Sequence, residues 1–527
     1  MKHQTSSVDA LPDSGSRPLA RSRILAWVIA AAAITLPITV QVPRNPDVWW
    51  ELAIGKYTLQ HGIPRVEPFS FLPTAHGWVA QQWLYTILMA VLHSGTNFAP
   101  IMLLTGIAAS LAFAVAAMAI PKEDHIPGPP RAIAIILATI IAGQVLGIRA
   151  QIATLLFTAV TLLVLTAWRG GNRRIVVLLP PLVLLWVNVH AGFFIGLALM
   201  ALFLVNKLFE RWKKMNMGHN GSLPWLGGAA AGSLLLTLVN PSGPGIYPYL
   251  LETYRSSSQL IVEWQSPSFH NLFFQLLELS FILLVVLWIY ARDLDHLDVV
   301  LAMVFAVLTL DAQRNVSLLC VVITPQLAKY GWPMWQTVRV KAGSLARKAG
   351  ALPRARSVMP LPLVIIPAAV ITLAGIAAAL PTTQPAYVSK SIGKLYPVSA
   401  TSYALASLPP GHIYTVWTWG GYLAYRIPNG RRVFIYGEAG IFGQYDIGQY
   451  LNIDLVRSNW RATLERWHID TAIVPLTSQE AALFREAGWQ ARCIDQPAGA
   501  VVFFHTKHPV LLPTSSPAPP ITAPACK

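Results

Sequence analysis

Long apolar runs, separated by short polar turns, dominate the first 380 residues of the chain. The runs occupy residues 24–42, 99–120, 132–148, 152–168, 175–189, 193–209, 224–239, 272–290, 297–310, 316–330 and 361–380. A helix needs about 20 apolar residues to cross the hydrocarbon core of a bilayer, and these runs approach that length. The pattern therefore predicts a polytopic α-helical membrane protein with about eleven transmembrane helices.

The flanks of the first run indicate its orientation. Arg17, Arg21 and Arg23 precede it, and cytoplasmic flanks are enriched in Lys and Arg, so we expect the chain to leave the cytoplasm here. The run is long enough to span, and no small-residue cleavage site follows it, so it is interpreted as a retained helix rather than a signal peptide. Residue 43 onward is then expected outside.

One apolar segment, residues 79–92, is short and carries Gln81, Gln82 and Tyr85. If it crossed the membrane, the basic loops at residues 169–174, 211–214 and 332–357 would all lie outside. If it lies flat, all three loops are cytoplasmic, as the positive-inside rule requires. We therefore predict an interfacial helix here and an extracytoplasmic C-terminus.

Beyond residue 380 the pattern changes to short β-rich runs, IYTVWTW, RRVFIYG, TAIVPL and AVVFFH, with a helical pattern near residues 478–487. This alternation predicts a small extracytoplasmic α/β domain. The predicted organisation is a cytoplasmic segment (1–23), a membrane domain (24–380) with a first outer loop (43–98), the α/β domain (381–508) and a disordered Pro-rich tail (509–527). An aromatic-rich strand pair is expected to form the core of the α/β domain, with an acceptor-binding or lid role as the alternative. Its residues are Tyr414, Trp417, Trp419, Tyr422 and Tyr425.

Composition narrows the class of protein. Of 527 residues, 54% are hydrophobic and only 12% are charged, which excludes an ordinary soluble enzyme and a disordered chain. The net charge of +16 is better explained by cations flanking membrane helices than by nucleic-acid binding. Three cysteines cannot form a disulfide framework; Cys320 lies in an apolar run, while Cys493 and Cys526 could pair.

The predicted topology places most polar residues at helix ends on the outer face. They are Asp47, Trp50 and Glu51 in the first outer loop, Arg149 and Gln151, Asn188 and His190, Glu263, and Arg314 in later outer turns. Ionisable residues at membrane depth are costly and usually face a cavity or a partner, so their shared side predicts one site. Each residue alone has a plainer explanation, such as a snorkelling Arg, a helix-capping Asp or an interfacial Trp.

The residue types suggest the chemistry of that site. Arginine offers a bidentate fork for phosphate, and Asp47 suits a general base or a metal ligand. Trp and Tyr rings suit the apolar face of a sugar or a lipid tail. Asp47 and Glu51 lie one helical turn apart and could share a divalent cation such as Mg²⁺ or Mn²⁺, although no cofactor is required by the sequence.

The first outer loop, NPDVWWELAIGKYTLQHGIPRVEPFSF followed by GWVAQQWLYTILMAVL, resembles the start of the GT-C superfamily of integral membrane glycosyltransferases. More closely, it resembles a bacterial GT-C-like group with a D-x-W-W-H-L-A-x-G…HG-x-x-P-x-x-D-P-F-S pattern. The pieces RAQ, WVNVHAGF, LVNPSG, EWQSP, QRN and TWGGYLAYRIPNGRRVFIYGEAGIFGQY extend the resemblance over residues 44–505.

The resemblance implies glycosyl transfer at the outer face of the bacterial inner membrane, from a polyprenyl-phosphate-linked sugar to a glycan or lipid acceptor of the cell envelope, with inversion. Asp47 matches the loop acid that GT-C enzymes use near the acceptor, and Glu51 is expected to act beside it. Arg149, His190 and Arg314 are the candidates for the donor phosphate. The candidates for further substrate contacts are Asn188, Gln151, Glu263 and Trp50. Membrane lipids, and no nucleic acid, are the other expected partners.

The sequence departs from the group pattern at four places, and the first and last of these support an alternative. Glu51 stands where His is common, Ala191 replaces Gly, Glu67 replaces Asp, and Tyr436-Gly437-Glu438 stands in place of D-G-R. The second hypothesis is therefore a non-catalytic protein that binds a polysaccharide or a polyprenyl carrier in envelope assembly. The third, a transporter or flippase, predicts mid-membrane charges and an internal repeat, and the sequence shows neither.

Overall fold

The computed structural model describes residues 16–73, 77–93, 97–213, 221–348, 362–427, 432–438, 440–505 and 521–527. Each of the eleven apolar runs contains a helix. The helices are α1 (Ser16–Ile34) continued by α2 (Leu36–Thr39), α5 (Ala99–Met118), α6 (Gly128–Ala142), α7 (Gln151–Arg169), α8 (Leu179–Val189), α9 (Phe194–Trp212), α10 (Leu223–Leu236), α12 (Leu272–Ile289), α13 (His296–Asp311), α14 (Val316–Lys348) and α15 (Pro362–Ala379). The first outer loop adds α3 (Asp47–His61) and α4 (Trp83–Leu92), and α11 (Ile246–Leu260) precedes α12.

Five helical segments within the described residues are long and apolar enough to cross a membrane. They are Ala99–Met118, Gln151–Arg169, Ala191–Trp212, Leu272–Ile289 and Pro362–Thr383. Only 22% of the residues in the last two are buried inside the protein, so their apolar side chains need an apolar solvent. The prediction of a polytopic helical membrane protein is confirmed at this level, and the count of eleven crossings stays a prediction.

Helix α4 differs from the long helices by its length. Its ten residues give a rod of about 15 Å, half of the roughly 30 Å hydrocarbon core. It packs against α3, which ends where Gly62 adopts φ +82° and its N–H donates to the Thr58 carbonyl. Glycine takes that backbone conformation without strain. The geometry of α4 therefore favours the predicted interfacial position.

A network of ion pairs ties together one end of the helical bundle. Arg169, at the end of α7, contacts Asp295 before α13 and lies 3.2 Å from Glu210 of α9. Lys329 of α14 lies 3.1 Å from Asp298. These residues all belong to the helix ends expected on the cytoplasmic side, so the alternating direction of the helices brings them together.

The C-terminal region forms a four-stranded sheet with helices packed around it. Strands β1 (His412–Thr415), β2 (Ile469–Pro475), β3 (Gln490–Asp495) and β4 (Ala500–Phe504) lie in the order β1-β2-β4-β3. The β1–β2 pair is parallel and the other two pairs are antiparallel. The helices are α16 (Pro385–Leu395), α17 (Val398–Ser407), α18 (Trp417–Arg426), α19 (Gln444–Asp454), α20 (Trp460–Arg466) and α21 (Gln479–Glu486).

Both edge strands of this sheet, β1 and β3, have additional neighbours. Val433 bridges Ile413 of β1 and also Ser70 of the first outer loop. On the other side, Ala525 bridges Ile494 of β3, and a disulfide joins Cys493 to Cys526. The cysteine pairing left open by the sequence is therefore formed. The sequence predicted a disordered tail, but residues 521–527 are ordered against β3. Residues 506–520 lie outside the described residues.

The predicted aromatic strand pair is wrong. Tyr414 lies in β1, but Trp417, Trp419, Tyr422 and Tyr425 belong to helix α18. The segment 432–438 likewise makes only isolated bridges, and β3 was not predicted from the sequence. Aromatic residues are enriched in strands, but α18 buries its rings at helical spacing, and that packing decides its structure.

Trp49 joins the first outer loop to the C-terminal region. Its ring lies 5.2 Å from Tyr396, 4.8 Å from Tyr422 and 5.4 Å from Phe98, each edge to face. Glu67 reinforces the contact, because its carboxylate accepts hydrogen bonds from the Phe69 N–H and, at 2.7 Å, from the Tyr436 hydroxyl. The loop and the C-terminal region therefore share one hydrophobic core.

The buried ion-pair network around Arg169 predicts a stability effect. Arg169→Met removes the cation that joins two carboxylates, Asp295 and Glu210, whose side chains are about one-tenth exposed; Lys207 remains 3.3 Å from Glu210. Breaking one side of a buried pair costs about 3–5 kcal/mol, since the remaining charges stay buried. Thermal unfolding in detergent should show a marked destabilisation. Arg173→Met, at an exposed position in the same turn, is the control and should change nothing.

Candidate active site

Asp47 is the first residue of α3, and its carboxylate is held in place by its neighbours. Its N–H donates to the Asn45 side chain at 2.8 Å, and the Trp50 indole N–H donates to its Oδ1 at 3.1 Å. The motif D-x-W-W therefore has a local structural basis: Trp49 anchors the helix and Trp50 orients the acid.

The C-terminal region closes one side of Asp47. Gly437 approaches so closely that a Cβ on this residue would lie 2.5 Å from Asp47 Oδ1 and 3.2 Å from Trp50 Nε1. Any larger side chain would displace the carboxylate or its indole partner. The tripeptide Tyr436-Gly437-Glu438 thus contributes a close backbone approach to the site.

Two arginines and a glutamate from separate turns meet near Asp47. Arg149, in the turn before α7, lies 2.7 Å from Glu263, in the turn Val262–Trp264. Arg314, in the turn before α14, lies 3.8 Å from the same carboxylate and 4.4 Å above the ring of Trp264. The outer turns therefore converge, and Glu263 is an ion-pair partner rather than a free substrate ligand.

The charges in this cluster set the proton affinity of each acid. Burial, then the negative charge of Glu263, raises the pKa of Asp47, while Arg149 and Arg314 oppose the shift. Although burial acts against it, the two arginines lower the pKa of Glu263. Asp47 therefore binds a proton more tightly than an exposed aspartate, while Glu263 stays ionised.

Glu51 lies deeper in α3 and is almost completely buried. Its Oε1 accepts a hydrogen bond from Gln82 at 3.2 Å, and its Oε2 has no hydrogen-bond partner within the described residues. Burial, followed by the charge of Asp47, raises its pKa well above the ordinary value. Glu51 therefore binds a proton more tightly than an exposed glutamate does.

The divalent cation considered above for Asp47 and Glu51 would need several ligands in one place. Within the described residues, no three His, Cys, Asp or Glu side chains come close enough together to hold a metal ion. The residues present do not fit a protein-held Mg²⁺ or Mn²⁺, so no step is derived through one.

His190 is placed as a neutral side chain. Its Nδ1 accepts the Gly192 N–H at 3.0 Å and lies 2.7 Å from Thr154 Oγ1, which leaves the proton on Nε2. Burial, and then Arg314 and Arg149, lower its pKa to about 3. The sequence interpretation of His190 as a cation is therefore not favoured; it could offer only a neutral N–H donor.

Two other predicted contacts belong mainly to the scaffold. Asn188 accepts the Trp83 indole N–H at 2.9 Å and donates to the carbonyls of Leu184 and Val239, which uses both of its N–H groups. Gln151 donates to the Arg314 carbonyl at 3.1 Å and holds that turn. Both residues position the site, and the geometry leaves Asn188 no free N–H for a substrate.

Sequence reasoning missed Glu438 as a member of the site. It is buried, accepts a hydrogen bond from the Tyr249 hydroxyl, and lies 3.5 Å from Gln81 Nε2. Burial is the main reason that its pKa rises to about 7. Glu438 also lines a cleft beside Trp50. The one signal in the sequence was its departure from the D-G-R pattern.

The structure thus defines a multi-pass helical membrane protein with a buried carboxylate–arginine cluster at one end. No family model matches the sequence, and no curated protein matches it. Among solved structures, the chain is similar to ArnT from Cupriavidus metallidurans bound to undecaprenyl phosphate. The TM-score is 0.42 and the sequence identity 13%, over 96% of this chain and 100% of that chain. Because this similarity is low, the function is inferred from the contacts within this chain.

Glu438 predicts a pH-dependent stability. Its pKa rises from 4.5 to about 7, so the folded state binds this proton more tightly than the unfolded chain does. The resulting stability is complete below about pH 4.5 and is lost as the pH rises through 7, a change of about 3 kcal/mol. In Glu438→Gln, thermal unfolding in detergent should decline less over this window. Exposed Glu486→Gln should follow the unmodified protein.

Proposed function

We propose that the protein is a membrane glycosyltransferase. It moves a sugar from a polyprenyl-phosphate donor to an acceptor hydroxyl at the outer face of the membrane, with Asp47 as the general base. The observation that carries the proposal is the position of the Asp47 carboxylate. It lies within electrostatic range of Arg149 and Arg314, and it is hydrogen-bonded to Trp50 at the wall of a cleft. The GT-C resemblance of the first outer loop supports the same assignment.

The transfer step follows from the acid and the two cations. The acceptor oxygen attacks the anomeric carbon and its proton passes to Asp47, whose raised pKa makes it a stronger base. The bond from the anomeric carbon to the phosphate oxygen breaks, and the polyprenyl phosphate leaves with the electron pair. Attack opposite the leaving group inverts the anomeric centre.

Arg149 and Arg314 are proposed to stabilise the phosphate as it gains negative charge. Both guanidinium groups are largely buried, where their charge acts more strongly than in water. Glu263 balances them and keeps their positions fixed. His190 is proposed to contribute at most an N–H donor.

The site is proposed to face the extracytoplasmic side of a bacterial inner membrane. Disulfides persist in oxidising compartments, so the Cys493–Cys526 pair supports an external position for the C-terminal region. The basic loops counted in the sequence support the same orientation. A carrier with a long lipid tail would then present its phosphate at the level of the outer turns.

A carrier-binding protein without catalysis is the second candidate. The observation in its favour is that Glu263 already pairs with both arginines, so the phosphate site exists whether or not Asp47 acts as a base. Such a protein would bind a polyprenyl phosphate and be indifferent to the loss of the Asp47 carboxylate.

Asp47→Asn tests the proposed base. The amide keeps the size of the side chain and its contact with Trp50 but cannot accept the proton, so transfer should fall about 10²–10⁴-fold. Surface glycans and lipids of a deletion strain, complemented with each variant, would be compared by mass spectrometry. Asp293→Asn, at an exposed position near the cytoplasmic end, is the matched control. Full complementation by Asp47→Asn would eliminate the proposed mechanism.

Glu263→Gln tests the electrostatic coupling. The negative charge of Glu263 raises the pKa of Asp47, so its removal should lower that pKa. Transfer would be assayed in membrane vesicles by formation of the glycan or lipid product that mass spectrometry identifies. The acid limb of the pH profile of kcat/KM should move to lower pH. Glu486→Gln should leave the limb in place. An unchanged limb in Glu263→Gln, or one moved to higher pH, would contradict the role of Asp47.

A further inference from the structure

A cleft lies beside Trp50, and neither Arg149 nor Arg314 lines it. Its walls come from α3, from the segment that leads into α4, and from Glu438 of the C-terminal region. Its open space is about 290 Å³, most of it at the mouth. The groups that give it chemical character are Trp50, Trp78, Gln81, Gln82, Trp83 and Glu438. We refer to these six residues as the indole cleft.

Hydrogen bonds fix two of the indole rings that line this cleft and the backbone of the third tryptophan. The N–H of Trp50 is held by Asp47, and that of Trp83 is held by Asn188 at 2.9 Å. The backbone N–H of Trp78 donates to the Arg65 carbonyl at 3.0 Å. Trp78 and Trp83 are both half-buried, so part of each side chain remains exposed at the cleft. These anchors preserve flat apolar surfaces in fixed positions.

Polar groups alternate with the rings. Gln81 is held by the Tyr249 hydroxyl at 2.9 Å, and the buried carboxyl of Glu438 lies beside it. A lipid chain or an apolar peptide would remove water from this carboxyl and amide and offer no hydrogen bonds in its place, which is unfavourable. A sugar ring has apolar C–H faces for the indoles and hydroxyl groups for the carboxyl and amide.

The cleft also has the right position relative to the proposed base. Trp50 lies in its wall and donates to Asp47, and Glu438 follows Gly437, which is packed against the Asp47 carboxylate. The arginine pair acts on Asp47 from other turns of the bundle. The cleft is therefore connected to Asp47 through Trp50 and Gly437, while the arginine pair belongs to other turns.

We propose that the indole cleft is the acceptor site and that the acceptor is a saccharide, with a ring lying across Trp78 and Trp83 and hydroxyl groups bonded to Glu438 and Gln81. The enclosed part of the cleft is small, so the ring lies across its mouth rather than deep inside. This inference rests on the proposed function, since it names the acceptor class of that reaction.

Saccharide binding can be measured without turnover. Detergent-solubilised protein would be applied to an array of mono- to tetrasaccharides of hexoses, pentoses, hexosamines and uronic acids, and the affinity of each hit measured by quenching of tryptophan fluorescence. We expect saturable binding that weakens about tenfold or more in Trp78→Ala, because a stacking surface is lost. Glu438→Gln should weaken the same hits and change their order of preference.

Trp225→Ala is the matched control, since this tryptophan is exposed on α10, away from the cleft, and should bind as the unmodified protein does. The inference is overturned if no saccharide on the array binds, or if binding survives both cleft substitutions unchanged. Thermal unfolding of each variant shows whether it is folded.

Asp47→Asn separates this inference from the proposed function. It should retain saccharide binding while transfer is lost. If the Asp47→Asn protein keeps both saccharide binding and full transfer activity, the proposed base is wrong and the cleft assignment stands. Loss of transfer in Asp47→Asn, with no saccharide bound by any folded form, would overturn the cleft assignment alone.

Discussion

The edge-to-face packing of Trp49 in a cage of aromatic rings is the contact on which the site depends. Asp47 lies two residues before Trp49 in the first turn of α3, so whatever fixes the indole also fixes the carboxylate. The cage rings come from the C-terminal region through Tyr396 and Tyr422. The same packing brings Gly437 and Glu438 to α3. The site is thus assembled from both ends of the chain. A substitution in the aromatic cage would shift the position of the Asp47 carboxylate.

Charge balance is the second constraint. Burying two arginines is tolerable only because Glu263 lies against both of them and Asp47 lies near. The same balance explains why the pKa of Asp47 is raised although two guanidinium groups are close. Glu263 has already neutralised much of their field, and burial then determines the direction of the shift.

The sequence predicted the helices well because apolar runs of span length have few other solutions in a membrane. It also indicated which turns share a side, because alternate crossings fix the side of every turn. Arg149, Glu263 and Arg314 meet for that reason. What it could not supply depends on tertiary contacts. Nothing local distinguishes a helical Trp417–Arg426 from a strand, or shows that the Nδ1 of His190 accepts an N–H. Glu438 gains its role only from the fold that buries it.

The covered edges of the C-terminal sheet have a consequence for a protein held in a membrane. Confinement to two dimensions raises the local concentration of identical domains, and an open strand on each would invite strand addition between neighbours. Here Val433 occupies one flank and Ala525 the other, the latter secured by a covalent bond. Reducing that bond would release the segment that covers β3, so we expect a reduced protein to self-associate through this strand rather than to lose the site.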